Sequence, residues 1–346
     1  MASFRQLFGK IDKARMIVIA FFLFLCVMAV AYDVPVAMTA TDVLVRYGMN
    51  IILVLSMVPG IACGIGLNFG LPISIVCGIL GGLIALEIGL TGALAFIVGI
   101  LISIPISIVA GIVYGILLNK VKGAEMMVET YVGFSIISLM CIAWVSLPFK
   151  NEELIWPIGK GLRQTIDISG QYGGILDKFL QIKIGEHFIF PTGLLLFALL
   201  MCFIVWIFFK TKTGVMMKAA GENPEFARAN GINVDRYRIL GTVFSTILGA
   251  VGIIVYAQSF GFYQLYQAPM MMGFAAVAAI LIGGATARTA KISHVLIGTF
   301  LFQGILTIAM PVANKVAPDG NLAEIVRILV SNGIIVYALT KGKRGE

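Results

Sequence analysis

The chain has 346 residues, of which 60% are hydrophobic and only 12% are charged, and its mean hydropathy is +1.01. A soluble domain would carry about 25% charged residues, so this composition excludes a water-soluble globular protein and indicates a chain that folds in lipid. The formal net charge is +8, but basic and aromatic residues do not alternate on a polar surface, so we expect no binding to nucleic acid.

Ten apolar segments are near the length of about 20 residues with which a helix spans a bilayer. They predict an all-α, polytopic membrane protein with about ten transmembrane helices in one domain, residues 1–346. A basic stretch precedes the first segment, and a cleaved signal peptide is the alternative to an uncleaved first helix. We favour the uncleaved helix because a count of ten helices then places both termini on the same side of the membrane. The segments are 16–32, 43–65, 71–89, 93–117, 131–148, 190–209, 239–258, 270–287, 293–312 and 325–340.

Lysine and arginine residues near the ends of these segments indicate the orientation, because such residues concentrate on the cytoplasmic side. With the N-terminus inside, 17 of the 25 Lys and Arg residues lie on the cytoplasmic side and eight lie outside. This bias predicts that both termini are cytoplasmic. It also makes residues 149–189 an extracellular or periplasmic loop and residues 211–238 a cytoplasmic loop.

Ten helices divide into two units of five. Two tandem units with an odd number of helices have opposite orientations, which is the arithmetic of inverted five-helix repeats in transporters. Each half also contains a Gly-rich break after a long apolar run, GIACGIGLNFG at 60–70 and LIGGATA at 281–287. These breaks give weak sequence support for such a repeat.

The cytoplasmic loop 211–238 carries the signals of one short helix. Asn223 can cap it, Pro224 suits its first position, Glu225 lies in its first turn and Gly231 stops it, which predicts a helix over about 224–230. A helix this short is unstable alone in water, so it needs a packing partner. The alternative is a solvated connecting loop.

The stretch AAGENPEFARANGINVDR at 219–236 closely resembles the coupling loop of bacterial ABC importer permeases of the ribose, simple-sugar and nucleoside type, whose relatives carry branched-chain amino acids. The family pattern reads approximately A-x-G-x-N-P-E-A-A-R-x-x-G-I-N-V-x-R. The resemblance implies that this helix enters a groove of an ATP-binding subunit and transmits its movement. The predicted coupling residues are Gly221, Glu222, Asn223, Pro224, Glu225, Ala227, Arg228, Gly231 and Ile232.

Two further stretches are similar to the same family. GIGLNFG at 64–70 matches G-I-D-L-S-V-G in part, with Gly66 in place of the Asp and Asn68 in place of the Ser. IGGATARTA at 282–290 matches the start of I-G-G-T-S-L-x-G-G. The resemblance covers about 45–340. The loss of the carboxylate leaves the substrate open and would fit one half of a heterodimer.

The glycine breaks also predict the substrate pathway, because non-helical backbone at membrane depth is tolerated where it is buried or lines a cavity. A neutral, hydroxyl-rich solute would need amide and hydroxyl partners there. For each polar residue, helix–helix hydrogen bonding is the alternative to substrate contact. The predicted pathway residues are Asn50, Gly66, Asn68, Gln258, Gly283, Gly284 and Gln303.

These observations predict the transmembrane permease subunit of an ABC importer for a simple sugar of the ribose or galactose type, in a bacterial cytoplasmic membrane. The alternatives are a nucleoside-importing permease and a stand-alone secondary transporter. Few charges lie deep in the predicted helices, which counts against a proton- or sodium-coupled carrier. An integral membrane enzyme acting on lipid would want a polar catalytic cluster, and we find none.

The resemblance implies an ATP-binding cassette ATPase, an extracellular or periplasmic substrate-binding protein and a second permease chain, identical or different, as partners in the lipid bilayer. The chain has no G-x-x-x-x-G-K-[ST] loop that could cradle phosphates. We therefore expect no catalytic residues, no metal site and no cofactor in this chain, and expect ATP and Mg²⁺ to be used by the partner ATPase.

Overall fold

The computed structural model describes residues 13–157, 161–185 and 188–316, together with positions 328, 332, 333 and 336. The helices are α1 (Lys13–Ala31), α2 (Val36–Leu55), α3 (Met57–Ala62), α4 (Leu71–Glu87), α5 (Gly92–Lys120), α6 (Glu125–Ser146), α7 (Ile175–Lys178), α8 (Thr192–Phe208), α9 (Lys212–Glu222), α10 (Pro224–Ala229), α11 (Val234–Phe260), α12 (Gln267–Ile282) and α13 (Ile292–Val316). The strands are β1 (Thr165–Asp167), β2 (Ile182–Ile184), β3 (Phe188–Phe190) and β4 (Phe262–Gln264).

Within the described residues, five helical segments are long and apolar enough to cross a membrane, namely α2 with α3, α5, α6, α11 and α13. Helices α8 and α9 pass the same test only as a pair bent by 77°, and α1, α4 and α12 are shorter apolar helices. These helices coincide with the first nine predicted segments. The tenth, 325–340, lies outside the described residues except for positions 328, 332, 333 and 336. The chain is a mostly helical, multi-pass membrane protein, while the count of ten and the side of each terminus stay predictions.

Helix α11 is the centre of the bundle and packs against α2, α4 and α5. Small residues allow these close approaches, as is common between helices in membranes. A side chain at Gly78 of α4 would lie 2.4 Å from the Ala250 carbonyl oxygen of α11, and one at Gly111 of α5 would lie 2.8 Å from Val243 Cα. The lipid-facing sides of α5 and α6 keep large apolar residues exposed.

The described part of residues 149–189, which we call the outer loop after its predicted side of the membrane, folds against the end of α11. Strand β1 pairs antiparallel with β4, with Ile166 opposite Tyr263, and β2 pairs with β3. The Tyr172 hydroxyl donates to the Tyr263 hydroxyl at 2.6 Å. The chain expected to be all-α therefore includes a few short strands here, because non-helical backbone satisfies its hydrogen bonds in such strands.

Several helix bounds differ from the predictions. Helix α11 begins at Val234 rather than 239, because the Asn233 side chain accepts a hydrogen bond from the Arg236 amide and caps it. Helix α6 begins at Glu125 rather than 131. Helix α12 ends at Ile282 rather than 287, where Gly284 takes a positive φ of 99°. Charged first turns and a glycine turn set these ends, and hydropathy alone places them poorly.

The two glycine-rich breaks lie at different places in the two halves. The first break (residues 63–70) follows α3, which ends the second apolar segment of the first half. The second break (residues 283–291) follows α12, the third apolar segment of the second half. Equivalent repeat units would place both breaks after the same segment. The breaks therefore give no support to an inverted repeat, which stays a prediction.

Candidate functional site

The predicted coupling segment, residues 211–238, is mostly helical rather than a loop with one short helix. Thr211 caps α9, its side chain accepting from the Gly214 amide at 3.3 Å. The predicted Asn223 cap is present and accepts from the Phe226 amide at 3.0 Å at the start of α10. Gly231 follows α10 with a φ of 76°. The prediction of a helix from Pro224 is confirmed, and the sequence analysis missed α9.

Helix α10 is held by one buried residue and presents the rest of its surface outward. Ala227 is fully buried and packs with Ala220 of α9 and Val234 of α11. Gly221 and Ile232 are half-buried. Phe226, outside our predicted set, is 62% exposed, which is unusual for an aromatic residue on a polar segment. The exposed members of the predicted coupling set are Glu222, Asn223, Pro224, Glu225, Arg228 and Gly231.

A shallow cavity of about 310 Å³ lies beside α10. Arg228, Gly231 and Ile232 of the predicted coupling set line it together with Asn233, Val234 and Asp235. The segment thus combines an exposed aromatic ring, a cavity with polar and charged walls, and one small buried side chain at Ala227. This arrangement suits contact with another protein.

The end of α9 touches the first break through backbone alone. A side chain at Gly221 would lie 2.3 Å from the Ala62 carbonyl oxygen and 2.7 Å from the Gly64 nitrogen. A side chain at Gly64, which has a φ of 80°, would lie 2.9 Å from Gly221 Cα. Only glycine permits this approach at both positions. The predicted coupling segment and the predicted pathway therefore meet at one point.

From Gly64 the first break runs back toward the middle of α11. Asn68 is buried, and its amide nitrogen donates to the Ser245 hydroxyl of α11 at 2.9 Å. That hydroxyl donates to the Ser56 carbonyl oxygen at 2.6 Å. The chain therefore descends from Ser56 to Gly64 and returns to the same level at Asn68. Tyr114 of α5 donates to the Asn68 amide oxygen at 3.3 Å.

Arg238 of α11 joins three elements at the end of the bundle next to the predicted coupling segment. It is 7% exposed and donates to the Asn119 side chain at 2.9 Å, the Gly64 carbonyl oxygen at 3.2 Å and the Glu125 carboxylate at 2.5 Å. Nearby, Lys122 forms an ion pair with Asp235. These bonds tie α5, α6 and α11 to the start of the first break.

Glu129 is a buried carboxyl group that the sequence analysis missed. It is 1% exposed, and its Oε2 accepts a hydrogen bond from the Phe69 amide at 2.9 Å. Its Oε1 has no hydrogen-bond partner among the described residues. Because we predicted the fifth helix from 131, Glu129 fell in a loop. The sequence analysis therefore did not identify two buried ionisable side chains, Glu129 and Arg238.

The second break is more exposed than the first. Gly283 packs tightly on α13, where an added side chain would lie 1.8 Å from the His294 carbonyl oxygen, and Arg15 of α1 donates to the Gly283 carbonyl oxygen. Gly284 is exposed. A side chain at Gly66 would lie 3.8 Å from the Ala287 carbonyl oxygen. The two breaks therefore approach each other, as expected if both border one pathway.

The other predicted pathway residues have different surroundings. Gln258 is fully buried, with its amide oxygen accepting from the Leu176 amide at 3.1 Å, so its contacts secure the outer loop. Asn50 donates to the Arg46 carbonyl oxygen within its own helix. Gln303 is 8% exposed, and its side chain bonds to no other described residue. Gln303 is the member of these three whose amide is available to a substrate.

The outer loop holds one carboxyl group beside Gln258. The Ser259 hydroxyl donates to Asp177 at 3.0 Å and accepts from Gln258 at 2.6 Å. Burial raises the pKa of the Asp177 carboxyl above its usual value, and the hydrogen bonds from Ser259 and Gln258 oppose that shift. This chain of bonds fixes α7 on the end of α11.

Comparison with known proteins gives one family and several relatives. The family model described as "Branched-chain amino acid transport system / permease component" matches residues 35–335. No solved structure matches the chain.

Three relatives show the range of named substrates. The chain is 32% identical over 162 residues to the nucleoside ABC transporter permease protein NupC of Lactococcus lactis subsp. cremoris, covering 46% of the chain and 50% of the relative. It is 35% identical over 96 residues to the guanosine ABC transporter permease protein NupQ of Bacillus subtilis, covering 28% and 30%. It is 28% identical over 219 residues to a protein of Haloferax volcanii provisionally named as a glucose ABC transporter permease, covering 59% and 63%.

These matches span 30% to 63% of the length of the relatives, whereas the family model covers residues 35–335 of this chain. The long motif at 219–236 lies inside the matched region. The chain therefore belongs to the family of permease components of branched-chain amino acid transport systems.

Proposed function

We propose that this chain is the membrane-spanning subunit of an ABC importer that carries a nucleoside across the bacterial cytoplasmic membrane. Energy would come from a partner ATPase that uses ATP and Mg²⁺. A binding protein would deliver the substrate to the outer loop, and a second permease chain would complete the pathway. Family membership and the names of the relatives support this proposal.

The contact between Gly221 and Gly64 is the observation that carries the proposal. It joins the segment with the family coupling motif to a break that reaches the level of Ser245 in α11. A movement of α9 would reach buried backbone without passing through a flexible side chain. The exposed Phe226 and the adjoining cavity provide a surface for the ATPase.

The choice of a nucleoside corrects our expectation of a simple sugar. Two of the relatives above are named as nucleoside or guanosine permeases, which favours the alternative reading. A row of aromatic side chains also starts at Phe69, the residue after Asn68. The rings of Phe69 and Phe274 are 6.0 Å apart, and Phe274 is 6.3 Å from Phe134. Such rings can stack on a nucleobase, which a simple sugar lacks.

A simple sugar is the second candidate, supported by the Haloferax relative with the glucose name. The names of the relatives, which are ABC transporter permeases, count against the stand-alone carrier. The sugar and nucleoside readings share hydroxyl recognition by amides. They differ in whether the aromatic residues near Asn68 contribute to affinity.

The proposal is tested by co-purifying the full chain with its ATPase and any second permease, and reconstituting the complex in liposomes. With binding protein and ATP, we expect uptake of labelled guanosine or adenosine and weak competition from ribose or glucose. Uptake of sugar alone would select the second candidate. A complex without an ATPase, or uptake that ignores ATP, would contradict the importer assignment.

Gly221→Val tests the contact between Gly221 and Gly64 directly. The new side chain meets the Ala62 carbonyl oxygen and the Gly64 nitrogen, so we expect normal membrane insertion and loss of ATP-driven uptake. Val215→Leu is the matched control, because Val215 lies on the same helix and is 55% exposed. Full uptake in Gly221→Val would show that the contact of α9 with Gly64 is not needed for coupling.

A further inference from the structure

Two carboxyl groups one helical turn apart on α6 reach the first break near its two ends, Glu129 directly at Phe69 and Glu125 through Arg238 at Gly64. We propose that Glu125 and Glu129 act as positioning residues that clamp the first break to α6, so that the break and α6 move as one body when α9 pushes on Gly64. We call this pair the two-point clamp. It gives a role to Glu129, a buried acid that the coupling contact alone does not use.

The first point of the clamp is at Gly64. Arg238 donates to the Gly64 carbonyl oxygen at 3.2 Å and to the Glu125 carboxylate at 2.5 Å, so Glu125 reaches the break through one guanidinium. The Glu125 and Arg238 side chains are 14% and 9% exposed, so water screens this pair weakly. A charge-assisted hydrogen bond in such surroundings is directional and short.

The second point of the clamp is at Phe69. Glu129 accepts from the Phe69 amide at 2.9 Å, where the chain is about to enter α4. Phe69 lies one residue before Gly70, the N-cap residue of α4. Because Glu129 belongs to α6, this bond joins the segment that leads into α4 to α6.

The spacing makes these contacts a unit. Residues four apart lie on one face of a helix, about 5–6 Å from each other. Glu125 and Glu129 therefore face the break together, one toward Gly64 and the other toward Phe69. Asn68 between them is bonded to α11 and α5. The break is thus held by side chains along its length, and its glycines at 64 and 66 leave the backbone free to turn.

This inference rests on the proposed function, because it describes how force from the ATPase would spread beyond Gly64. Without the clamp, a push on Gly64 would be absorbed by local bending of the glycine-rich backbone. With it, the push moves α6 and the start of α4. The expected defect of a clamp variant is therefore loss of uptake while ATP hydrolysis continues.

Hydrogen exchange tests the clamp without relying on transport. In the purified full chain we expect the hydrogen-exchange rate of the peptide over 64–70 to rise about tenfold or more in Glu129→Ala, since the Phe69 amide loses its acceptor. Glu129→Gln keeps an acceptor oxygen and should restore most protection. Unchanged exchange in Glu129→Ala would overturn the proposal.

Transport measurements test the consequence. In the reconstituted complex we expect the ratio of substrate moved to ATP hydrolysed to fall about tenfold in Glu129→Ala and to recover in Glu129→Gln. Glu87→Ala is the matched control. Glu87 lies at the other end of α4, where its carboxylate accepts from the Lys150 and Asn151 amides. A parallel loss of uptake and hydrolysis in Glu129→Ala would overturn the clamp.

The double variant tests whether the two points act together. If one lost point already frees the break, Glu125→Ala with Glu129→Ala should lower the ratio little more than Glu129→Ala alone. If the losses in this ratio for Glu125→Ala and Glu129→Ala multiply in the double variant, the two-point clamp is overturned. If the wild-type complex shows no ATP-driven uptake, the proposed function fails, while the exchange experiment still decides whether α6 holds the break.

Discussion

The first and second breaks are both glycine-rich interruptions between apolar helices, but their surroundings differ. Leu67 to Gly70 of the first break are buried, and side chains from α5, α6 and α11 bond to the break. The second break has an exposed turn whose bonds are largely internal, with the Thr286 and Thr289 hydroxyls 2.9 Å apart. Arg15 is its contact from another helix through a side-chain hydrogen bond.

We infer that a glycine break transmits movement only when its neighbours hold it. The first break joins the coupling segment to three helices, whereas the second break connects α12 and α13. Five variants in four experiments test this difference.

Arg238→Leu should have the largest effect on stability. It removes three hydrogen bonds and leaves the Glu125 carboxylate without its guanidinium, which costs about 3–5 kcal/mol for a buried pair. We expect a clear fall in the thermal unfolding midpoint in detergent. Arg236→Leu is the control, because Arg236 is exposed on the same helix. Equal midpoints for the two variants would show that the first break is not held at Gly64.

Asn68→Leu should come next. The Tyr114 hydroxyl would lose its acceptor in a buried site and Ser245 would lose a donor, a cost of about 1–3 kcal/mol. The unfolding midpoint and nucleoside uptake should both fall, with assembly retained. Asn314→Leu supplies the comparison, since Asn314 is exposed on α13. Unchanged uptake kinetics in Asn68→Leu would remove Asn68 from the pathway.

Gly66→Ala and Gly284→Ala test the two breaks against each other. Both glycines have positive φ, 113° and 99°, so alanine should cost about 1–2 kcal/mol at each position. The midpoints should fall by similar amounts. Uptake per folded complex should fall further for Gly66→Ala, because the first break touches α9 at Gly221. Equal losses of uptake would give the two breaks equal roles.

Thr286→Ala should have the smallest effect. It removes the contact with Thr289 in an exposed turn, so the expected change in unfolding free energy is within about 0.5 kcal/mol. The midpoint should stay near that of the unaltered chain. A loss as large as that of Asn68→Leu would mean that the second break is held as firmly as the first.

Local signals in the sequence predicted local structure well. Asn223, Pro224 and Gly231 each act within a few residues, so the bounds of α10 followed from capping and turn preferences. The same rule would have found the Asn233 cap of α11. Here the hydropathy window took precedence, because the first turn of α11 carries Asp235 and Arg236.

Contacts between distant residues were not predictable in this way. Glu129 is buried because Phe69, 60 positions away, offers it an amide, and Arg238 meets Gly64 across 174 positions. Strand β1 can pair with β4 only when the outer loop folds back onto the end of α11. Nothing in the local pattern around these residues indicates the partner. The sequence around Glu129 therefore predicts a loop residue rather than a buried carboxyl group.

The 77° bend between α8 and α9 has a consequence for leverage. Helix α9 has 11 residues, which makes an arm about 16 Å long. A rotation of about 10° at the bend would carry its tip roughly 3 Å, given that length. The tip is Gly221, and it abuts backbone with no side chain between. Because no side chain at that junction can change rotamer, even a small tilt of α9 would displace Gly64 by almost the same distance.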